Sequence, residues 1–352
     1  MRVLSPILRQ IVYPALGKVG FFRLRAGMSV VTYHGVLPEG YRNTDAFLDN
    51  TLIRIDAFRA QLALLKRYYN VVSPARFQAW LRGSEALPER AVLITCDDGF
   101  LNNLTVMAPI LREHGLQCIF FSTSDSLGKA PAMLWYIELY LMIMKARATG
   151  GAVDCAGIHV PTPDGDQETR RTQWLRLTRE LSRFTAEHRQ AFLSELARRW
   201  RLDADWKASY LNDPLLAQRF QLLGAEQLRQ LADAGMTIGA HTRSHPELSQ
   251  QPDEEARREV IECRCELQEC IGRSIWAMAY PFGNPATVGE REFRLAREAG
   301  FECAFMNVPG KFTAENKFSM PRAHVTADMS LGVFEAHVSG FHERLRQRLR
   351  GA

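Results

Sequence analysis

No Cys-x-x-Cys pair and no zinc-finger spacing occur among the 352 residues, although the chain holds seven cysteines. Cys263, Cys265 and Cys270 fall in one expected helix, and Cys96, Cys118, Cys155 and Cys303 are scattered. That pattern fits reduced core and surface thiols rather than a disulfide framework. No apolar run reaches the roughly 18 residues of a membrane span. Arg9 and Gln10 break the N-terminal apolar stretch, so no secretory signal peptide is expected. A glycine-rich phosphate loop, a dinucleotide fingerprint and an RNA-binding aromatic motif are all missing. The net charge of +5 is too mild to imply a nucleic-acid partner. The expectation is a cytoplasmic protein.

Acidic residues are also missing from the start of the chain, where the first is Glu39. Residues 1–27 carry Arg2, Arg9, Lys18, Arg23 and Arg25, and Leu4, Leu8, Ile11 and Ala15 follow helical spacing until Pro14 intervenes. Such a basic amphipathic segment suits either an anionic membrane surface or packing on the domain. Arg344, Arg346, Arg348 and Arg350 repeat the basic character near the other end, and residues 331–352 are predicted as one basic helix. Peripheral attachment to the inner face of the cytoplasmic membrane is one consequence.

What is abundant is ordinary globular material, 46% hydrophobic and 24% charged. From Met28 strands and helices alternate. "MSVVTYHGV", "AVLITCDDG" and "QCIFFST" read as strands, and Phe58, Leu62, Leu65 and Tyr69 mark a helix between the first two. The rhythm stops near Gly128. Residues 131–224 read as a mainly helical insertion, with Trp174, Leu177, Leu181 and Phe184 at 3,4,3 spacing. Three of its tryptophans, Trp135, Trp174 and Trp200, are expected in its core. Alternation resumes with "MTIGAHT", "WAMAYPFG", "FECAFMN" and "FSMPRAHV". The predicted class is α/β, an incomplete barrel of parallel strands over 28–130 and 225–330.

In such barrels chemistry sits at the carboxyl ends of the strands. There the sequence places His34, the pair Asp97 and Asp98, His241 with His245, and Arg322 with His324. Two adjacent carboxylates at the end of a core strand are costly without a metal or a catalytic proton. In "HTRSH" two histidines at i and i+4 can reach one ion, with His245 expected at the start of a helix beginning near Pro246. Two histidines and a carboxylate leave positions open for water and substrate. That donor set suits hydrolysis by Zn²⁺ or a similar ion, and equally a non-haem iron oxygenase. The second aspartate favours hydrolysis, which needs a base beside the water.

"TCDDG", "HTRSH" and "YPFG", in that order, resemble the first three motifs of the polysaccharide deacetylases of the NodB-homology type, carbohydrate esterase family 4. The resemblance implies a distorted (β/α)7 barrel and hydrolysis of N-acetyl, or sometimes O-acetyl, groups from glycans with a divalent metal. It implies that Asp98, His241 and His245 bind the metal, most readily Zn²⁺, with Co²⁺, Ni²⁺, Mn²⁺ or Fe²⁺ as alternatives. Asp97 becomes the general base, and Tyr280, Pro281, Phe282 and Gly283 line the substrate. Four departures stand out. Cys96 replaces an aromatic residue, as packing rather than as a nucleophile. Ala279 stands where many relatives have an arginine beside the catalytic aspartate, a charge that Arg322 is a candidate to supply. The late Leu-x-His motif is absent in that form, which leaves His324 as the expected acid, protonating the leaving amine as an imidazolium, with His34 second. The fourth motif's aspartate has no match better than Asp328. The substrate expected is an amino sugar of a bacterial surface glycan or its polyprenyl-phosphate-linked precursor. Removal of formyl, and an inactive glycan-binding relative, are the alternatives.

Overall fold

The computed structural model describes residues 11–22, 27–42, 44–128, 131–146, 150–310, 312 and 314–350. Seven strands run parallel in one sheet: β1 Ser29–Tyr33, β2 Ala91–Cys96, β3 Ile119–Ser122, β4 Thr237–Ala240, β5 Ala277–Ala279, β6 Cys303–Phe305 and β7 Ala323–His324. Their order is β6-β5-β4-β3-β2-β1-β7, and the short strand Asn70–Val71 pairs beside the start of β2. The sheet curls until its edges meet at one point. There Phe305 bridges Met320, and the Met306 N–H donates to the Met320 carbonyl at 2.8 Å. The expected distorted barrel is the architecture found.

Burial on both faces explains why β2 has no polar alternation: all six residues of AVLITC are buried. Val92, Ile94 and Cys96 face the outer helices, among them Ile55–Tyr68, Ala225–Asp233 and Asp253–Ile271. Ala91 and Leu93 face the interior with Phe121, Ala277 and Phe305. Gly239 on β4 is needed there, because a Cβ would stand 2.4 Å from the Phe121 ring. The helix Pro74–Leu81 plugs the end where the strands begin, with Phe77 against Trp276 and Phe305. Helix Asp253–Ile271 starts on Asp253, Glu254 and Glu255 and ends at Gly272 with φ +64°, as its sequence signals indicate.

Between β3 and β4 the chain builds a second core. Helices Trp135–Lys145, Gln167–Leu181 and Ala186–Arg199, with a hairpin of Val153–Cys155 and Ile158–Val160, enclose Leu141, Leu177, Leu181, Leu196 and Trp200. Phe100, just past the Asp97–Asp98 pair, belongs to this core and so ties it to the barrel mouth.

The carboxyl-terminal region is two helices, not the single basic one expected. Leu331–Val338 is apolar, with Val333, Phe334, Ala336 and Val338 buried, and Gly340 (φ +68°) separates it from Phe341–Arg350. The first packs on helix Tyr13–Lys18 so closely that a Cβ on Gly332 would lie 2.7 Å from Pro14 Cα. Tyr13 and Phe22 are buried in that contact, while Ile11 and Val19 are exposed. Arg2, Leu4, Leu8, Arg9, Arg23 and Arg25 of the expected amphipathic segment lie outside the described residues. Among the described residues no helix is long and apolar enough to cross a membrane.

Candidate functional site

Most barrel strands, β3 excepted, deliver residues from their carboxyl ends to one cleft: His34, Asp97, Asp98, His241, Tyr280, Asn307 and His324. Backbone pairing continues one step past the strands: Asp97 N–H donates to the Tyr33 carbonyl at 2.9 Å, and His241 N–H to the Ser122 carbonyl at 2.9 Å. The chain then turns sharply. Asp98, Thr242, His245 and Phe282 all adopt positive φ, at 76°, 59°, 58° and 60°. Each such non-glycine residue costs about 1–2 kcal/mol, and the clustering here is what strain stored at a working site looks like.

Asp98 Oδ1 lies 3.5 Å from His241 Nε2 and 3.4 Å from His245 Nε2, all three side chains being buried. One ligand atom from each falls within 4.8 Å of the others. His241 Nδ1 pairs with the Ala279 carbonyl at 2.7 Å, which directs Nε2 at Asp98. Burial alone would raise the Asp98 carboxyl, but hydrogen bonds from both imidazoles outweigh it and hold Asp98 well below its ordinary range. An ionised carboxylate between two imidazole nitrogens fits a divalent cation. The i, i+4 spacing works through a loop. Helix does not begin at Pro246; only a 3-10 turn, Leu248–Gln250, follows before Asp253. His245 N–H donates to Thr242 Oγ1 at 3.1 Å, closing the turn that brings the two rings to 4.9 Å.

Asp97 is held differently. Arg322 reaches it from the entry to β7 with two parallel bonds, Nη1 to Oδ1 at 2.7 Å and Nη2 to Oδ2 at 2.6 Å. Arg322 Nε donates to the Met306 carbonyl at 2.9 Å. Burial would push Asp97 up, but the Arg322 guanidinium, and then His241, keep it below the usual carboxylate range. Asp97 therefore stays charged and acceptor-only through neutral pH.

Opposite lie His34 and His324, their rings 4.9 Å apart. His34 Nδ1 and His324 Nε2 are buried with no hydrogen-bond partner in the protein. Burial, then the neighbouring His34, pushes His324 down to about 3. The imidazolium expected from the motifs is therefore not the resting state of His324; the physical reason is desolvation of a charged ring. Cys96 is buried with a raised thiol pKa, caused first by burial. Asp328 is on the exposed side, accepting from Thr326 Oγ1 at 2.5 Å.

In the YPFG turn the polar atoms of Tyr280 do not face substrate space. Its hydroxyl donates to the Phe318 carbonyl at 2.9 Å and its N–H to Phe305 at 3.1 Å. Pro281 only carries the turn. Phe282 faces inward, its ring centroid 5.1 Å from that of His245. Gly283, at φ +56°, passes so near Asn307 that a Cβ would lie 2.6 Å from its nitrogen.

The cleft encloses about 400 Å³. Sequence reasoning left many of its lining residues unassigned or in the core, among them Phe47, Tyr136, Trp174 and Arg219. Trp174 does belong to the insertion core, yet one face lines the cleft beside Phe47, with ring centroids 5.6 Å apart. Helical spacing shows which residues share a face, not that this face overhangs a barrel mouth. The insertion also grips the loop that carries His245. Trp135 Nε1 donates to the His245 carbonyl at 3.0 Å, and Arg189 donates to Ser244 Oγ, which in turn donates to Glu259.

A family model described as polysaccharide deacetylase matches residues 202–304, a span that holds His241, His245 and the Tyr280–Gly283 turn. No curated protein matches the chain. Among solved structures, the Streptococcus pyogenes deacetylase PplD, in complex with acetate, is similar at 14% identity and a TM-score of 0.57, over 89% of this chain and 99% of its own. A de-N-acetylase from Aggregatibacter actinomycetemcomitans follows at 15% and 0.53, over 88% and 99%. IcaB from Ammonifex degensii is similar at 18% and 0.51, over 89% and 97%. These likenesses carry the fold of β1–β3, which the family model leaves out.

Proposed function

From the premise that this chain has the polysaccharide deacetylase fold and matches that family's model, we propose a metal-dependent hydrolase that removes an N-acetyl, or related acyl, group from an amino sugar. The observation that carries the reading is one buried cleft holding both the Asp98–His241–His245 triad and Asp97 fixed by Arg322. Asp98, His241 and His245 would hold the ion, Zn²⁺ first, with Co²⁺, Ni²⁺, Mn²⁺ or Fe²⁺ suiting the same donors. A cation bound there supplies Lewis acidity for the acyl carbonyl and for the attacking water.

The chain's own groups do the rest. Asp97, ionised and immobilised by two bonds from Arg322, accepts the proton the water loses. That proton must reach the leaving nitrogen. His324 enters neutral and can act as donor only after receiving it, so its role is relay: its unpartnered Nε2 takes the proton up and gives it to the amine. His34, beside it, keeps the second ring in place. Phe282, Tyr136 and Trp174 exclude bulk water around the triad.

Acetyl is the first choice of acyl group, since the similar PplD is described with acetate; formyl fits the same chemistry. A surface-glycan amino sugar or its lipid-linked precursor, met at the inner face of the cytoplasmic membrane, is the proposed substrate. In support, Lys18 and the arginines of Phe341–Arg350 lie on elements beside exposed Ile11, Val19 and Phe21. The test is acetate and formate release from chito-oligomers, sugar nucleotides and polyprenyl-linked sugars by metal-loaded protein, with Asp97→Asn alongside. Release that needs metal and disappears in Asp97→Asn is expected. Release that persists in Asp97→Asn, or bound metal with no release from any substrate, would overturn the catalytic reading.

A further inference from the structure

Arg219 lines the same cleft and has no part in the chemistry above. It lies on helix Pro214–Phe220 of the insertion and is 1% exposed. Two of its nitrogens fix it. Nε donates to Asp49 Oδ1 at 2.7 Å, and Nη2 to the Leu48 carbonyl at 2.8 Å. Its guanidinium carbon sits 5.1 Å from the Phe100 ring centroid and 5.0 Å from that of Phe220. The third nitrogen, Nη1, is buried and has no acceptor in the protein. A buried donor left unpaired costs about 1–3 kcal/mol, more when it is charged, and Arg219 borders the cleft, so an acceptor that arrives with the substrate would relieve that cost.

The charge balance says which kind of acceptor. Asp49 turns its other oxygen away, to the Tyr41 hydroxyl and the Thr44 N–H, both at 3.0 Å. Asp97 and Asp98 are the acidic side chains among the cleft's described lining. Arg322 balances the first, and the second would face a dication together with two imidazoles. A loaded cleft is then net positive, with no spare carboxylate to repel an anion, and charge-assisted bonds from guanidinium to oxyanions are the strong ones.

We infer that Arg219 Nη1 forms a subsite for an oxyanion that the substrate carries beside its acylated sugar, so that the protein selects acidic amino sugars over neutral ones. The selectivity in turnover rests on the deacylase reading; the selectivity in binding does not. Phosphate and carboxylate share the required chemistry.

The test uses the full, metal-loaded chain and three probes: N-acetylglucosamine, N-acetylglucosamine 1-phosphate and an N-acetylamino uronic acid. Binding is read by calorimetry, and acyl release separately. Wild type is expected to bind an acidic probe at least about tenfold more tightly than the neutral one, and which acidic probe wins identifies the oxyanion. Arg219→Lys keeps the charge and a partner for Asp49 but removes the free fork; it should erase the difference between acidic and neutral probes. Asp49→Asn weakens the ion pair but keeps Nη1; it should lower the unfolding midpoint and keep the difference. The inference is overturned if the acidic probes bind no better than the neutral one, or if both variants weaken all probes alike, as a purely structural role requires. Discrimination without acyl release would remove the deacylase reading and leave the subsite; release without discrimination would remove the subsite alone.

Discussion

Replacing Arg322 by methionine tests how the proposed base is held, and the structure sets the size of the effect. The Arg322–Asp97 side chains are 0% and 3% exposed and share two bonds of 2.7 and 2.6 Å. Taking away the cation strands a carboxylate in a desolvated pocket, which costs about 3–5 kcal/mol. The lost donor to the Met306 carbonyl falls within that figure. Asp97→Asn strands the guanidinium instead, with a loss of similar sign. The double variant strands neither charge, so it should be more stable than the sum of the singles predicts by about 2–3 kcal/mol. Urea unfolding of the chelated proteins at pH 7 measures all four. The pH dependence has a defined sign. In wild type the folded state holds Asp97 below its unfolded pKa, so its contribution is present above the ordinary carboxylate range and is lost as pH falls through the lowered value. In Arg322→Met the same buried carboxyl should titrate above that range, so the stability gap to wild type narrows on acidification. A coupling energy under about 0.5 kcal/mol, or a gap that widens toward low pH, would refute the pairing.

Three further outcomes follow from the site and the barrel. His245→Ala should leave less than stoichiometric metal after zinc loading and desalting, measured by emission spectrometry, whereas Asp97→Asn should keep it; equal contents would break the separation of ligand from base. Trp135→Phe removes the donor to the His245 carbonyl. It should lower metal affinity about tenfold in competition with a chromophoric chelator and stability by about 1 kcal/mol, and an unchanged affinity would show that the insertion does not set the loop. Gly239→Ala pushes a methyl into the Phe121 ring and within 3.1 Å of the Ala277 carbonyl. It should cost about 1–3 kcal/mol in thermal unfolding, and a neutral result would mean that the interior is looser than described.

The parts of this molecule legible in the sequence are those where local pattern and global fold agree. Continuous apolar runs marked β2 and β3, Asp253 to Gly272 marked both ends of a helix, and polar residues at strand ends marked the cleft. What pattern could not supply was tertiary. Nothing local distinguishes Arg219, packed in a helix of the insertion, from the solvated arginines around it. The 3,4,3 spacing of Trp174 reported its core face and hid the face over the barrel mouth. Pro246 suggested a helix starting just after His245, because proline suits the first turn of a helix; here positive φ at Thr242 and His245 brings the two rings together without one. The neutral resting state of His324 was hidden for a similar reason, since burial is a property of the whole fold.

His245 hangs between two cores. Thr242 and the barrel hold one side of its loop, and Trp135 and Arg189 of the insertion hold the other. Cooperative units of a protein open at different free energies. On the proposed metal site, heat that loosened the insertion first would release one wall of the His245 loop while the barrel is still folded. The thermal history of the protein should then show two separate events, cation loss first and collapse of the barrel later, and its working temperature is set by the earlier one.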